Sequence, residues 1–130
     1  MNRKALYFIE RSLAIVASII FLQTLFFKFT AHPDSVYIFT RVGLEPYSRI
    51  GLGIVELLVS FLLLFPRTSF YGAIGGILIM SGAIMTHLLI LGIIVNNDNG
   101  TLFSLALTAF MCCSAIVLIK KKAYFPKIVH

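Results

Sequence analysis

An apolar run of about twenty residues constrains a chain more than any other sequence feature, because an α-helix of that length crosses the hydrocarbon core of a bilayer. Four such runs follow one another in a chain of 130 residues. They leave room for four spanning helices and little else, so the sequence predicts a single domain over residues 1–130 and no separate soluble module to carry chemistry. Composition agrees, since 12% of the residues are charged against about a quarter in a soluble domain. The fold class expected is an all-α membrane protein, a bundle of four transmembrane helices.

The first run extends from Ser12 to about Thr30. That exceeds the 7 to 15 apolar residues of a signal-peptide core, and no A-x-A-like site follows it, so a retained helix is predicted over about residues 8–31. The stretch from His32 to Ser48 is too polar to span. Pro33 and Asp34 open it, Gly43 stops it and Pro46 lies beyond, while Val36, Phe39 and Val42 recur at helical spacing. It reads as a short interfacial helix over the mouth of the bundle.

The second spanning helix, about 47–66, ends at Pro66-Arg67-Thr68, a turn short enough to force an antiparallel neighbour. The third, about 69–95, is rich in glycine. Its Gly72, Gly76, Ala83 and His87 fall within about 60° of one another, the small-residue spacing that lets a neighbouring backbone come close. Residues 95–101 are turn chemistry with Asn and Gly. A fourth helix follows over about 101–119, with Thr101, Ser104, Thr108, Cys112 and Ala115 as a small-residue stripe. Lys120, Lys121 and Lys122 then close the membrane part, and Tyr124 and Phe125 suit an interfacial belt.

Within the second spanning helix stands Glu56. A charge at membrane depth costs about 2.5 to 3.5 kcal/mol on insertion scales and needs a partner, a proton or water, so it marks a candidate site. The alternative is a carboxyl group that only holds helices together. Arg49, Gly53, Glu56 and Ser60 share a wedge of about 40 to 60°, which turns the polar stripe toward other helices. On the first helix Ala14, Ala17, Thr24 and Lys28 share one side, with Gln23 about 100° from Thr24. Lys28 or Gln23 can therefore point inward, but not both. Two readings of Lys28 stand side by side: an ammonium snorkelling to the head groups, or an inward ion pair. His87 is either a core histidine bonded to a carbonyl or a functional group.

Lys and Arg are distributed unevenly between the two ends of the bundle. Arg3, Lys4, Arg11, Arg67, Lys120, Lys121, Lys122 and Lys127 fall on one side, against Lys28, Arg41 and Arg49 on the other, which puts both termini in the cytoplasm by the positive-inside rule. The net charge of +6 is explained by these membrane edges, and nucleic acid is excluded as a partner. With that topology Thr24, Glu56, His87 and Thr108 all lie about 10 to 12 Å below the outer surface. Four helices thus place polar groups at one level, which predicts an outward-facing polar pocket. A carboxylate and an imidazole there could pass protons, bind a polar head group or lock the bundle. Cys112 and Cys113 are adjacent, and their side chains diverge by about 100° on one helix; they form no CxxC and no metal set, and packing is the expected role.

Several short motifs resemble the DoxX family of small four-helix membrane proteins. They are Lys28-Phe29 at the end of the first helix, Gly43, Leu44 and Pro46 in the loop, Gly53, Glu56 and Leu57 in the second, Leu62 to Leu64 with Pro66 to Thr68 at the turn, and His87-Leu88 ending the third. The resemblance spans about residues 11–119, with Leu25 standing where a glycine is expected. It implies kinship with DoxD-like subunits of a thiosulfate:quinone oxidoreductase, with thiol-stress complexes, or with assembly factors. No haem ligand pair or flavin motif accompanies it, so the cofactor stays open, a quinone being compatible.

The reading that results is a multi-pass subunit of the inner (plasma) membrane in a redox-associated complex, with a partner redox subunit, a lipid bilayer around it and room for a homo-oligomer. It would accept a quinone or similar amphipathic ligand with Glu56 and His87 as catalytic, proton-handling groups, and Gln23, Thr24, Lys28, Arg49, Ser60 and Thr108 as ligand-binding groups. A non-enzymatic scaffold or assembly factor is the alternative. A small proton-coupled exporter is a third, against which the position of Glu56 and the charge bias count.

Overall fold

The structure is a computed structural model that describes residues 3–30, 32–43, 47–94 and 100–124, apart from the side chains of Phe27, Asp34, Ser35 and residues 122–124. It is built from α1 (Arg3–Phe29), α2 (Pro33–Val42), α3 (Tyr47–Leu64), α4 (Ser69–Thr86), which continues as a π-helical turn (His87–Leu91), and α5 (Thr101–Tyr124). Four segments are long and apolar enough to cross a membrane: Arg3–Phe26, Tyr47–Leu64, Ser69–Leu91 and Thr101–Lys121. The expected Asn-rich turn over 95–99, the Leu44 and Pro46 positions and Phe125 lie outside the described residues.

The four long helices close a ring in which α1 packs on α3 and α5, and α4 packs on α3 and α5. Its centre is filled by Phe21, Leu63, Ala73, Ala109, Cys113 and Ile116. The outward faces are apolar as well. Phe8, Leu89, Met111 and Leu118 are each about two thirds exposed or more, a pattern that suits lipid, since a water-facing surface rarely exposes a contiguous apolar patch of that extent. Glycine sets the closest approach. A Cβ at Gly76 would lie 2.6 Å from Cys113 Sγ, and one at Gly72 would lie 2.8 Å from the Leu63 backbone nitrogen.

Punctuation residues set the ends of the shorter elements. Pro33 occupies the first position of α2, where its missing N–H is not needed, and Gly43 ends it with φ of 80°, the left-handed conformation that favours glycine. Between α3 and α4 the Thr68 hydroxyl donates to the Leu62 carbonyl at 2.8 Å. That bond satisfies one of the carbonyls a helix end leaves open.

Three boundaries differ from the sequence expectation, and one physical reason covers two of them. α1 begins near Arg3 and not near residue 8, and α5 runs to Tyr124 and not to about 119. Charged residues near these ends are drawn into the bundle: Glu10 is 1% exposed and Lys120 5%, so the helices persist through residues assigned to the membrane edge. The third spanning helix ends earlier, because the π turn closes on Gly92, whose φ is 79°.

The stripe expected on the last helix is also corrected. Of its members Thr101, Ser104 and Thr108 are exposed, whereas Cys112 is buried and Ala115 half-buried, and the buried face is Ala106, Ala109, Cys112, Cys113 and Ile116. Thr108 donates its hydroxyl to the Ser104 carbonyl at 2.8 Å, which lets it face outward without an open donor. Alanine meanwhile allows the tighter contact.

Candidate functional site

The polar stripe of α3 turns inward along its whole length, with Arg49, Gly53, Glu56 and Ser60 all buried. Glu56 meets α1 across the ring. Lys28 Nζ lies 3.1 Å from Glu56 Oε1 and 3.2 Å from Oε2, and the Thr24 hydroxyl donates to Oε2 at 3.1 Å. Of the two readings of Lys28 the structure takes the inward ion pair. The one-turn spacing between Thr24 and Lys28 puts both donors on the same side of α1, so a single carboxylate receives both.

Arg49 and Ser60 brace this pair from either side. The Arg49 guanidinium donates to the Lys28 carbonyl, satisfying an acceptor in the last turn of α1. Ser60 donates to the Glu56 carbonyl at 2.9 Å, within its own helix.

Thr24, Lys28 and Glu56 lie on the wall of a cavity of about 410 Å³ at the α2 end of the bundle. α2 contributes Ile38, Phe39 and Val42 to that wall, and α4 with its π turn contributes Gly82, Ala83, Thr86, His87 and Leu91. The volume falls in the range of small-molecule sites, about 300 to 1,000 Å³, which are mostly apolar with a few convergent polar groups. The lining has that character: one carboxylate, one ammonium, two threonines and an imidazole among aliphatic side chains.

His87 starts the π turn, and such single-turn insertions occur frequently at functional sites. Its Nδ1 is 3.0 Å from the Gly92 carbonyl. A carbonyl only accepts, so Nδ1 carries the proton of this bond. Phe103 of α5 packs edge-on against the ring with centroids 5.6 Å apart. Glu56 and His87 share the cavity wall but do not hydrogen-bond directly, since the partners of Glu56 are Thr24 and Lys28 and that of His87 Nδ1 is Gly92.

Four of the six residues proposed from the sequence as ligand-binding do not line the cavity: Arg49 and Ser60 touch backbone carbonyls of the pair's own helices, and Gln23 and Thr108 stand apart from the group. Gln23 is exposed on the far side of α1, in keeping with the angular choice between it and Lys28, and Thr108 is exposed on α5. Neither lines the cavity. Angular placement on an isolated helix fixed the neighbours of Thr24 but could not say which way α5 is rotated.

A second charged cluster, not anticipated, sits at the terminal end. Arg11 grips the carboxylate of its neighbour Glu10 with Nε and Nη2, both at 2.6 Å, and donates onward to the carbonyls of Leu64 at 2.9 Å and Leu63 at 3.2 Å. Lys120 of α5 donates to the Pro66 carbonyl at 2.8 Å and stands 4.0 Å from Glu10. The C-terminal carbonyls of α3 are thereby capped by cations from α1 and α5. Glu10, like Glu56, falls within a spanning segment.

A ring of four apolar helices with buried charged groups defines a small multi-pass membrane protein. The sequence pattern of the DoxX-like family matches residues 12–115, and the chain belongs to that family. No curated protein and no solved structure matches it.

Proposed function

We propose that this chain is an integral subunit of a redox-associated complex in the inner (plasma) membrane, with its termini in the cytoplasm, and that it holds a quinone or similar amphipathic ligand in the cavity under α2. The observation that carries the reading is the placement of the Lys28–Glu56 pair on the wall of an otherwise apolar cavity of about 410 Å³. Lys28, whose ammonium carries three N–H donors, offers a donor that suits a carbonyl or hydroxyl at the polar end of a ligand, and the Thr24 hydroxyl oxygen offers an acceptor. Ile38, Phe39, Leu52 and Leu78 offer an apolar lining for the remainder. A quinone bound there would supply a two-electron, two-proton acceptor, with electrons from a partner subunit.

The roles of the side chains follow from their chemistry. Glu56 and His87 are assigned the proton-handling roles on the wall, and the Nδ1–H bond to Gly92 orients the His87 ring. Orientation is supported by charge. Once Arg11, Lys120, Lys28 and Arg49 are set aside as internal, Arg3, Lys4, Arg67, Lys121 and Lys122 remain on the terminal side among the described residues, against Arg41 on the other, the bias expected for a cytoplasmic terminal side.

A second reading, a scaffold in which the same groups only lock the helices, is favoured by one observation: Glu56 is 1% exposed with both oxygens engaged. The two separate in one experiment. The chain purified from its native membrane is analysed for quinones and co-purifying proteins. Quinone in stoichiometric amount, lost in Lys28→Met, supports the ligand site. Quinone no higher than with an unrelated four-helix membrane protein leaves the scaffold.

A further inference from the structure

The seam between α3 and α4 changes character along its length. On α4 the residues Gly72, Gly75, Ile79, Gly82 and Thr86 fall within about 80° of one another, so one stripe faces α3 throughout. At the terminal half this stripe is closed. A Cβ on Gly72 would meet the Leu63 nitrogen at 2.8 Å, and one on Gly75 would meet Val59 Cγ2 at 3.2 Å. Two turns further toward α2, a Cβ on Gly82 would meet nothing within 4 Å. Ile79, Gly82 and Thr86 line the cavity there, opposite Leu52 of α3.

The open part of the seam also reaches the outer surface of the bundle. Leu78 lines the cavity and yet is 69% exposed, and Gly82 lines it and is exposed. A residue that belongs to both the inside wall and the outside surface marks an opening. Gly82 lies about 13 Å along the helix from Leu91 at 1.5 Å per residue, which is hydrocarbon depth. The water-facing end, by contrast, is covered by Ile38, Phe39 and Val42 of α2, and α2 is held to the end of α4 by Arg41, which donates to the Ile90 carbonyl at 3.4 Å.

Building on the ligand site proposed above, we infer that the cavity is filled sideways from the bilayer through a portal between α3 and α4, with Gly82 as its threshold and Leu78 as its rim. The ligand class is thereby narrowed to lipid-soluble molecules with one polar head. The head reaches Thr24, Lys28 and Glu56, and the apolar tail lies in the portal, where glycine leaves it space. A water-soluble solute has no part in this arrangement, because its path would lead through hydrocarbon.

The test uses the purified full-length chain in detergent, mixed with decylubiquinone and separated from free quinone by gel filtration, with quinone per protein read by mass spectrometry. Gly82→Phe plugs the portal without touching the charged pair, and Gly51→Phe is its control, since Gly51 is exposed, has open space around it and lies off the cavity. Retention at least about tenfold lower in Gly82→Phe, corresponding to about 1.4 kcal/mol, with Gly51→Phe equal to wild type, is the expected result. Should Gly82→Phe not yield folded protein, Leu78→Trp at the rim carries the same expectation. Equal retention in wild type and the plugged variant overturns the portal while the ligand site stands. Retention by none of the proteins, wild type included, overturns the ligand site and the portal with it.

Discussion

The two ends of the bundle use the same chemistry to different effect. Each has a carboxylate from a spanning helix and a lysine from a neighbouring one, Glu10 with Lys120 and Glu56 with Lys28. At the terminal end a third charge, Arg11, fills the carboxylate's remaining valences, and the surplus donors end on the carbonyls of Leu63, Leu64 and Pro66. None of Glu10, Arg11 or Lys120 lines the cavity. At the α2 end a threonine donates to the carboxylate, Arg49 caps the Lys28 carbonyl, and the pair borders open space. A buried ion pair is by itself weak grounds for either stability or function. What separates the two is the space beside them: the terminal cluster lines none of the cavity, whereas Lys28 and Glu56 stand on its wall, which makes theirs the candidate site.

The contrast can be broken most severely at the clamp. Glu10→Ala leaves Arg11 and Lys120 without their shared anion, and removal of one partner from a buried pair costs about 3 to 5 kcal/mol. A large fall in the thermal midpoint in detergent is expected, with little protein recovered from the membrane. A midpoint within a few degrees of wild type would show that the terminal cluster is no clamp.

Lys28→Met comes next. Glu56 loses its ion pair, but the cavity beside it can admit water, so the expected loss is smaller, about 1 to 3 kcal/mol for a polar group left without its partner. Ligand retention should disappear. A loss as large as that of Glu10→Ala would erase the distinction between the two ends.

Glu56→Gln sharpens the contrast further, since the amide oxygen still accepts from Lys28 and Thr24 while the group no longer takes up protons. Stability should change by about 1 kcal/mol and proton-coupled activity in the assembled complex should be abolished. Retained activity would return Glu56 to a packing role. The smallest effects belong to Gln23→Ala and Thr108→Ala, both exposed. Each should lie within about 0.5 kcal/mol of wild type and leave ligand retention unchanged.

Much of this architecture was legible in the sequence. Apolar run lengths gave the four spans, Pro33 and Gly43 bracketed α2, and the angular wedge on α3 placed Arg49, Glu56 and Ser60 on one buried face, because each signal is local to one helix. Helix rotation about its own axis was less legible where the moment is weak. On α5 both a Thr/Ser/Cys stripe and an Ala/Cys/Ile stripe were small enough to pack, and contact with Gly76 and Phe21 decided for the second. The terminal cluster escaped for another reason. Charges near the ends of apolar runs read as membrane-edge anchors, and only the three-dimensional meeting of α1, α5 and the α3–α4 turn shows that Glu10 and Lys120 lie inside. The π turn at His87 has no sequence signal that we can name beyond the glycine that ends it.

The two ion pairs also differ in how far apart their members stand along the chain. Glu10 and Arg11 are consecutive, so α1 carries that charge already neutralised when it leaves the insertion machinery. Lys28 is 28 residues from Glu56, and the two arrive on different helices. Lys28 stands in the last turn of α1, where its ammonium can reach the head groups until α3 arrives, whereas Glu56 lies mid-span in α3, where an unmatched charge costs about 2.5 to 3.5 kcal/mol on insertion scales. The carboxylate of α3 thus finds its cation only beside α1, which favours the two helices settling into the bilayer as a pair with α2 between them.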